Sequence, residues 1–385
     1  MPVRVQCAAD PRRAPAQSRY GGPIRRAGAA ACRSSGAGRL AGMTDGAATP
    51  NPGVPRILSG IQPTADSFHL GNYLGAIRQW PLLAQGREAF YFVADLHALT
   101  VPTDPAVLRA RTLTAAAQLI AAGCTPDRCA VFLQSAVPEH TELAWILGCL
   151  TGFGEASRMT QFKDKAARAG SESANVGLFN YPVLQAADIL LYDADEVPVG
   201  GDQLQHLELA RHLANRFNSR FGPALRSPRP HILPRVARIA DLSDPTAKMS
   251  KSSSPPAGIV MLLDEPRITA KKIRSAVTDT GREIVYDPAG KPGVSNLLTI
   301  LAALTGKQIE ELQAAYTGAG YGELKKDVAQ AVADTFDPIR DRTRELLAEP
   351  DTLADVLAQG AQRARAVAGQ TLARVRERVG LPVRG

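Results

Sequence analysis

The chain has 385 residues, of which 45% are hydrophobic, 21% charged and 5% aromatic, and its formal net charge is +8. That length buries a full core and leaves room for two domains, while no apolar run approaches the ~20 residues of a bilayer-spanning helix, which disfavours a membrane role. Cys7, Cys32, Cys124, Cys129 and Cys149 form no C-x-x-C pair, so reduced, cytosolic thiols are favoured over disulfides or zinc, and the last three are expected in the core.

Residues 1–54 are rich in Ala, Gly, Pro, Arg and Ser, lack apolar periodicity, and read as a disordered leader. Within residues 1–42, Arg4, Arg12, Arg13, Arg19, Arg25, Arg26, Arg33 and Arg39 face the single acid Asp10, so nearly all of the net charge lies there. The remainder is close to neutral, and any contact with nucleic acid has to come from local basic patches. An Arg-rich, acid-poor leader fits an organellar transit peptide; its weak amphipathic order favours instead a start at Met43.

From Pro55 strands and helices alternate. Strands are expected at 56–61 (R-I-L-S-G-I), 89–95, 130–134 and 196–199, with helices at 69–86, 105–122, 139–150 and about 202–217. This alternation implies an α/β fold, a Rossmann-like doubly wound parallel sheet, over residues 55–245. Ligands on such sheets sit beyond the carboxyl ends of the strands, where His69, Asp95, His97, Gln134 and Gly200–Gln203 fall. Residues 246–258 form a polar loop. Residues 259–385 are expected to be a C-terminal helical domain, with amphipathic helices at 295–304, 307–312 and 351–368 and the last returning to pack near the first domain.

Two segments carry phosphate chemistry. In S-G-I-Q-P-T-A-D-S-F-H-L-G-N (59–72) a strand, a turn and a helix start follow one another. A helix N-terminus offers free N–H groups and a positive dipole end, Gly71 lets a base or ribose approach the backbone, and His69 can donate to α-phosphate oxygens. Alone, that turn is as readily structural. The second segment, D-P-T-A-K-M-S-K-S (244–252), places Lys248 and Lys251 among hydroxyls, as a departing pyrophosphate needs. Alone, it is a solvated basic loop; about 180 residues apart across an α/β domain, the two segments together point to an ATP-adenylating site.

His69–Asn72 resembles the H-I-G-H signature of class I aminoacyl-tRNA synthetases, with Asn in the last place, and Lys248–Ser252 matches their second signature letter for letter. From Arg56 onward the chain is similar to the bacterial tryptophanyl-tRNA synthetases, through G-I-Q-P-T (60–64), V-A-D-L-H-A-L-T (93–100), S-R-M-T-Q-F-K-D-K (157–165), Y-P-V-L-Q-A-A-D-I-L-L-Y (181–192), V-P-V-G-G-D-Q (197–203), K-K-I-R-S-A-V-T-D-T (271–280) and K-P-G-V-S-N-L-L (291–298). The resemblance implies ATP binding by Gln62, Thr64, His69, Gly71, Asn72, Gly200, Asp202, Gln203, Lys248, Met249, Ser250, Lys251 and Ser252, with Lys163 or Lys165 as further phosphate contacts. Catalysis would rest on His69, Asn72, Lys248 and Lys251. Mg2+ would arrive with ATP, with no protein metal site. The implied partners are tRNA(Trp), L-tryptophan and a second copy in a homodimer, in the cytoplasm, with no membrane.

Tyr181, Gln185 and Asp188, at i, i+4 and i+7, share one helix face. By resemblance Asp188 accepts the indole N–H, Gln62, Tyr181 and Gln203 hold the ammonium, and His97 helps on the carboxylate side. Two residues depart from the family: Gln185 stands where many members have Met, and Gly201 where Glu is usual. Gln185 keeps a tyrosyl-tRNA synthetase as an alternative. A non-catalytic, tRNA-binding relative is disfavoured because both lysines and the H-x-G turn are intact. Lys271, Lys272 and Arg274 are either tRNA contacts or a solvated helix face.

Overall fold

A computed structural model describes residues 53–159, 175–200, 203–232, 239–250 and 254–382. Most of the leader, Lys163, Lys165, Gly201, Asp202, Lys251 and Ser252 lie outside the described residues. The first half contains β1 (Arg56–Ile61), α1 (Leu70–Gly75), α2 (Trp80–Leu83), β2 (Glu88–Val93), α3 (Asp95–Ala98), α4 (Pro105–Ala121) and β3 (Ala130–Leu133). There follow α5 (Glu139–Gly148), α6 (Phe153–Ser157), α7 (Val176–Leu190), β4 (Glu196–Val199), α8 (Leu204–Phe221) and β5 (Arg229–Ile232). The remaining helices are α9 (Pro266–Arg274), α10 (Pro292–Thr305), α11 (Ile309–Ala315), α12 (Tyr321–Ala348) and α13 (Pro350–Val379).

The strands form one parallel sheet in the order β3-β2-β1-β4-β5. The chain winds outward from β1 to β3, then crosses to the other side of β1 for β4 and β5. A crevice therefore opens between the carboxyl ends of β1 and β4, where the winding reverses and ligands of such sheets bind. β2 is buried at Ala89–Val93 because helices cover both faces of the sheet.

Three expectations are corrected. The helix at 69–86 is broken after α1: Ala76 takes φ −143°, a short 3-10 turn follows, and Pro81 sits in the first turn of α2. Proline removes an N–H and its ring clashes with the carbonyl four residues back, so a continuous helix through 81 would be strained. A fifth strand not among those expected, β5, forms at R-P-H-I; as the edge strand it tolerates Pro230. Cys124 and Cys129 are in the core, but Cys149 is exposed at the end of α5.

The last helix returns to the sheet as expected. Gly360 of α13 lies so close to β3 that a Cβ there would stand 1.9 Å from the Val131 carbonyl oxygen. Arg363 donates to the carbonyl of Pro126 at 2.9 Å, and Arg374 pairs with Asp193 at 2.6 Å. One apolar cluster runs from Ile57, Leu70 and Leu74 through Met249 and Val260 to Leu297, Val328 and Phe336, so α10 and α12 support the segments around His69 and Lys248. Lys272 is not part of a solvated helix face: its ammonium pairs with Asp264 at 2.6 Å, with both side chains largely covered.

Candidate active site

The turn Ser67–Asn72 is built from its backbone outward. His69 is the N-cap of α1 in an extended conformation, its Nδ1 accepts the Asn72 N–H at 3.3 Å, and the Asn72 Oδ1 accepts the His69 N–H at 3.2 Å. This reciprocal cap satisfies two donors that a helix start leaves open. Because Nδ1 accepts, the neutral ring carries its proton on Nε2. Burial, reinforced by the Lys248 charge, lowers the His69 pKa to about 4. The ring is therefore neutral at pH 7, with one N–H free to donate. A Cβ at Gly71 would press on the His69 ring at 3.0 Å, so the glycine keeps that ring where the cap sets it.

A ring titration is expected to give His69 a midpoint of about 4, with the Nε2-protonated tautomer at pH 7; a midpoint near 6.5 measured by NMR would sink this picture. The unfolded chain takes up that proton first. Stability from this group is thus complete above pH 6.5 and lost as pH falls from there toward 4.

The second motif is fixed at its base. The Met249 N–H donates to the Ile239 carbonyl, the Asp241 N–H to Ala247 and the Leu242 N–H to Gly258, all at 2.9–3.0 Å. Asn296 of α10 clamps Ala240 through both its amide groups, at 2.8 and 3.0 Å. Met249 buries its side chain in the core, whereas Lys248 is exposed. Chain emerging from the loop then pairs with the first motif: the Leu70 N–H donates to Val260 and the Leu262 N–H to Phe68, both at 2.8 Å. The two signatures are thereby parts of one structure.

Two cavities open beside this junction. One, of about 380 Å³, lies between β1 and β4 and includes Gln62, His97, Tyr181, Gln185, Asp188 and Gln203 in its lining, all six residues expected around tryptophan. The other, of about 620 Å³, is lined by Gln62, Thr64, His69, Asn72, Arg111 and Ser250 among others. They share Ile61 and Gln62. Gly200 is described but lines neither cavity.

Asp188 is the electrostatic centre of the first cavity. Its Oδ1 is contacted by His140 Nδ1 at 2.6 Å and accepts from Gln134 Nε2 at 2.7 Å, while His97 Nε2 lies 2.8 Å from Oδ2. Burial opposes its ionisation, but the His140 charge and the hydrogen bonds from His140 and His97 outweigh it, holding the carboxyl at about 2. A carboxylate has about four lone-pair positions. Three are filled, leaving one on Oδ2 for a ligand donor. His97, expected to help on the carboxylate side, stands hydrogen-bonded to Asp188. At the opposite end Gln185 Nε2 donates to Gln203 Oε1 at 3.3 Å, and the Tyr181 hydroxyl lies 3.1 Å from His206 Nε2.

Sequence reasoning placed Gln134 at a strand end without a role and missed His140, Tyr192 and Arg111. His140 is fully buried on α5 and its Nε2 meets the Tyr192 hydroxyl at 2.8 Å; a lone histidine on an apolar helix face was the available signal.

The family model for class I tRNA synthetases (W and Y) matches residues 51–337, and the chain belongs to that family. It is 63% identical over 326 residues to the tryptophan–tRNA ligase 2 of Streptomyces avermitilis, covering 85% of this chain and 97% of that one. The tryptophanyl-tRNA synthetase structure of Mycoplasma pneumoniae superposes with a TM-score of 0.77 at 37% identity, covering 86% and 98% of the two chains. That of Campylobacter jejuni, complexed with ADP and tryptophan, gives 0.74 at 36%, covering 85% and 100%. Within the family the chain is of the bacterial tryptophanyl type.

Proposed function

We propose that the chain activates L-tryptophan with Mg-ATP to tryptophanyl-adenylate and then transfers the tryptophanyl group to the 3′ end of tRNA(Trp). The observation that carries this reading is the junction of the two cavities at Gln62. A tryptophan whose indole N–H meets the open position on Asp188 directs its other end toward Gln62, Tyr181 and Gln203. Its carboxylate then lies toward the cavity of His69 and Asn72, where the α-phosphate belongs.

The carboxylate is already ionised, so no general base is needed. It attacks the α-phosphorus, the bond from that phosphorus to the β-bridging oxygen breaks, and pyrophosphate leaves with the electron pair. Alignment and charge stabilisation then carry the catalysis. In this reading His69 Nε2–H and Asn72 donate to phosphate oxygens, and Lys248 and Lys251 bring point charges to the leaving group. The remaining expected nucleotide contacts, Gln62, Thr64, Gly71, Gly200, Asp202, Gln203, Met249, Ser250 and Ser252, are retained as part of the same proposal. Mg2+ would arrive with the nucleotide, since it keeps most of its water and takes phosphate oxygens. When bound, it would offset charge on the phosphates. In the second step the 2′-OH of the terminal tRNA adenosine attacks the adenylate carbonyl, releasing AMP. The helical part from residue 259 is read as the anticodon side.

Pyrophosphate exchange against a panel of amino acids tests this directly. Tryptophan-dependent exchange with tyrosine silent is the expected result; exchange with tyrosine, or none at all, defeats it.

A homodimer is part of the same reading. Leu99, Val101, Phe153 and Val176 are each more than 60% exposed, and they belong to one region, because Asn175 Nδ2 donates to the Thr100 carbonyl at 3.0 Å and Phe153 stacks on Phe179. Such apolar exposure on a protein surface marks an interaction site. Sedimentation at micromolar concentration is expected to give a dimer, which Val176→Asp disrupts; a wild-type monomer ends this part of the reading. No helix among the described residues is long and apolar enough to cross a membrane, and the proposed compartment is the cytoplasm.

A further inference from the structure

The helix α4 faces the first motif with two side chains that none of the expected roles uses. Gln118, fully buried, accepts the Phe68 N–H on Oε1 at 2.9 Å and donates from Nε2 to Ser67 Oγ at 2.8 Å. Ser67 Oγ in turn accepts the Leu263 N–H at 3.2 Å. Residues 67–68 are thereby tied to α4 and to the chain that follows the second motif. Two turns earlier on the same helix, Arg111 Nε donates to Asp66 Oδ1 at 2.6 Å, beside this fixed segment.

Arg111 lines the 620 Å³ cavity with Thr64, His69, Asn72 and Ser250, and it is the one charged residue in that described lining. Its side chain is three-quarters covered, while that of Asp66 is 76% exposed. Among the described residues the guanidinium makes no other hydrogen bond than the one to Asp66. A solvent-exposed ion pair contributes little and does not require a covered arginine. A guanidinium held by Nε, with its Nη groups left over at a cavity roomy enough for a triphosphate, is in contrast arranged for two-point contact with phosphate oxygens. With His69 neutral, the cavity has no other described charge in its walls to offset a triphosphate.

We propose that Arg111 is a further ATP-binding residue. Asp66 orients it through Nε, and its two Nη groups contact the β- and γ-phosphates and stay on pyrophosphate as it leaves. This rests on the reading of the chain as an ATP-using synthetase. Absence of tryptophan-dependent exchange in the wild type defeats that reading, whereas the Arg111 variants test this assignment alone.

The experiment is pyrophosphate exchange by the full chain, with tripolyphosphate as a competitive probe of the phosphate cavity. Arg111→Gln is expected to raise the KM for ATP and the inhibition constant of tripolyphosphate by about ten- to a hundredfold, the loss of a charge-assisted hydrogen bond. The KM for tryptophan and the thermal midpoint stay as in the wild type. Arg111→Lys, which keeps the charge and the stem but not the fork, raises the same two constants by a smaller factor and serves should the glutamine variant not fold. Wild-type constants for both ATP and tripolyphosphate in either variant overturn the assignment. So does a rise in the KM for tryptophan equal to that for ATP, because a merely structural arginine affects both substrates alike.

Discussion

Asp188→Asn is expected to raise the KM for tryptophan by about a hundredfold or more while leaving that for ATP within a few-fold of the wild type. The reason is donor arithmetic. His140 Nδ1 and Gln134 Nε2 occupy Oδ1, and His97 Nε2 occupies one position on Oδ2. An amide in place of the carboxylate sets its own N–H groups against either the Oδ1 donors or the side meant for indole. Both orientations leave a buried donor unpaired, which costs about 1–3 kcal/mol, and the charge is lost as well. Pyrophosphate exchange with each substrate varied in turn measures this, and a normal tryptophan KM removes Asp188 from the site. The same carboxyl, held at about 2 against 3.8 when unfolded, contributes stability that is complete above pH 4 and is lost as pH falls toward 2. The asparagine variant is expected to be less stable at neutral pH and to show a shallower acid limb in a urea titration.

His69→Ala is expected to lower kcat for exchange by about a hundred- to a thousandfold, the range for loss of one preorganised donor to a developing oxyanion, with the KM for tryptophan nearly unchanged. Two effects are combined in that variant, since it also removes the N-cap of α1, worth about 1 kcal/mol. His69→Asn separates them. Asparagine caps a helix as well as any residue, so it restores the thermal midpoint, but its amide is too short to donate where Nε2 does. If kcat recovers along with stability, His69 is a capping residue alone and the catalytic role fails.

The chemistry was legible in the sequence because its carriers are local. His69, Gly71 and Asn72 belong to one turn and Lys248 and Lys251 to one loop, and Tyr181, Gln185 and Asp188 share a helix face by spacing. The interior strands and the amphipathic helices follow from side-chain period in the same way. Where context overrode local preference, the reading failed. Pro81 stopped a helix that the apolar pattern continued, and an edge position made Pro230 acceptable in a strand. α12, 28 residues long, was left unread although its apolar positions face the same core as α10.

What the sequence determined by itself is therefore which side chains share the turn at His69–Asn72, the loop at Lys248–Lys251 and the helix face of Tyr181, Gln185 and Asp188, since each group is set by neighbours a few residues apart. Only the tertiary structure decided that His97, Gln134 and His140 converge on Asp188 from 91, 54 and 48 residues away. It alone joined the turn at 67–72 to the chain that follows the Lys248 loop through Leu70–Val260 and Phe68–Leu262, and set Arg111 against Asp66. Contacts of that kind arise from the winding of a parallel sheet about β1, which brings the ends of separate strands to one crevice. No periodicity along the chain encodes which side chains share it.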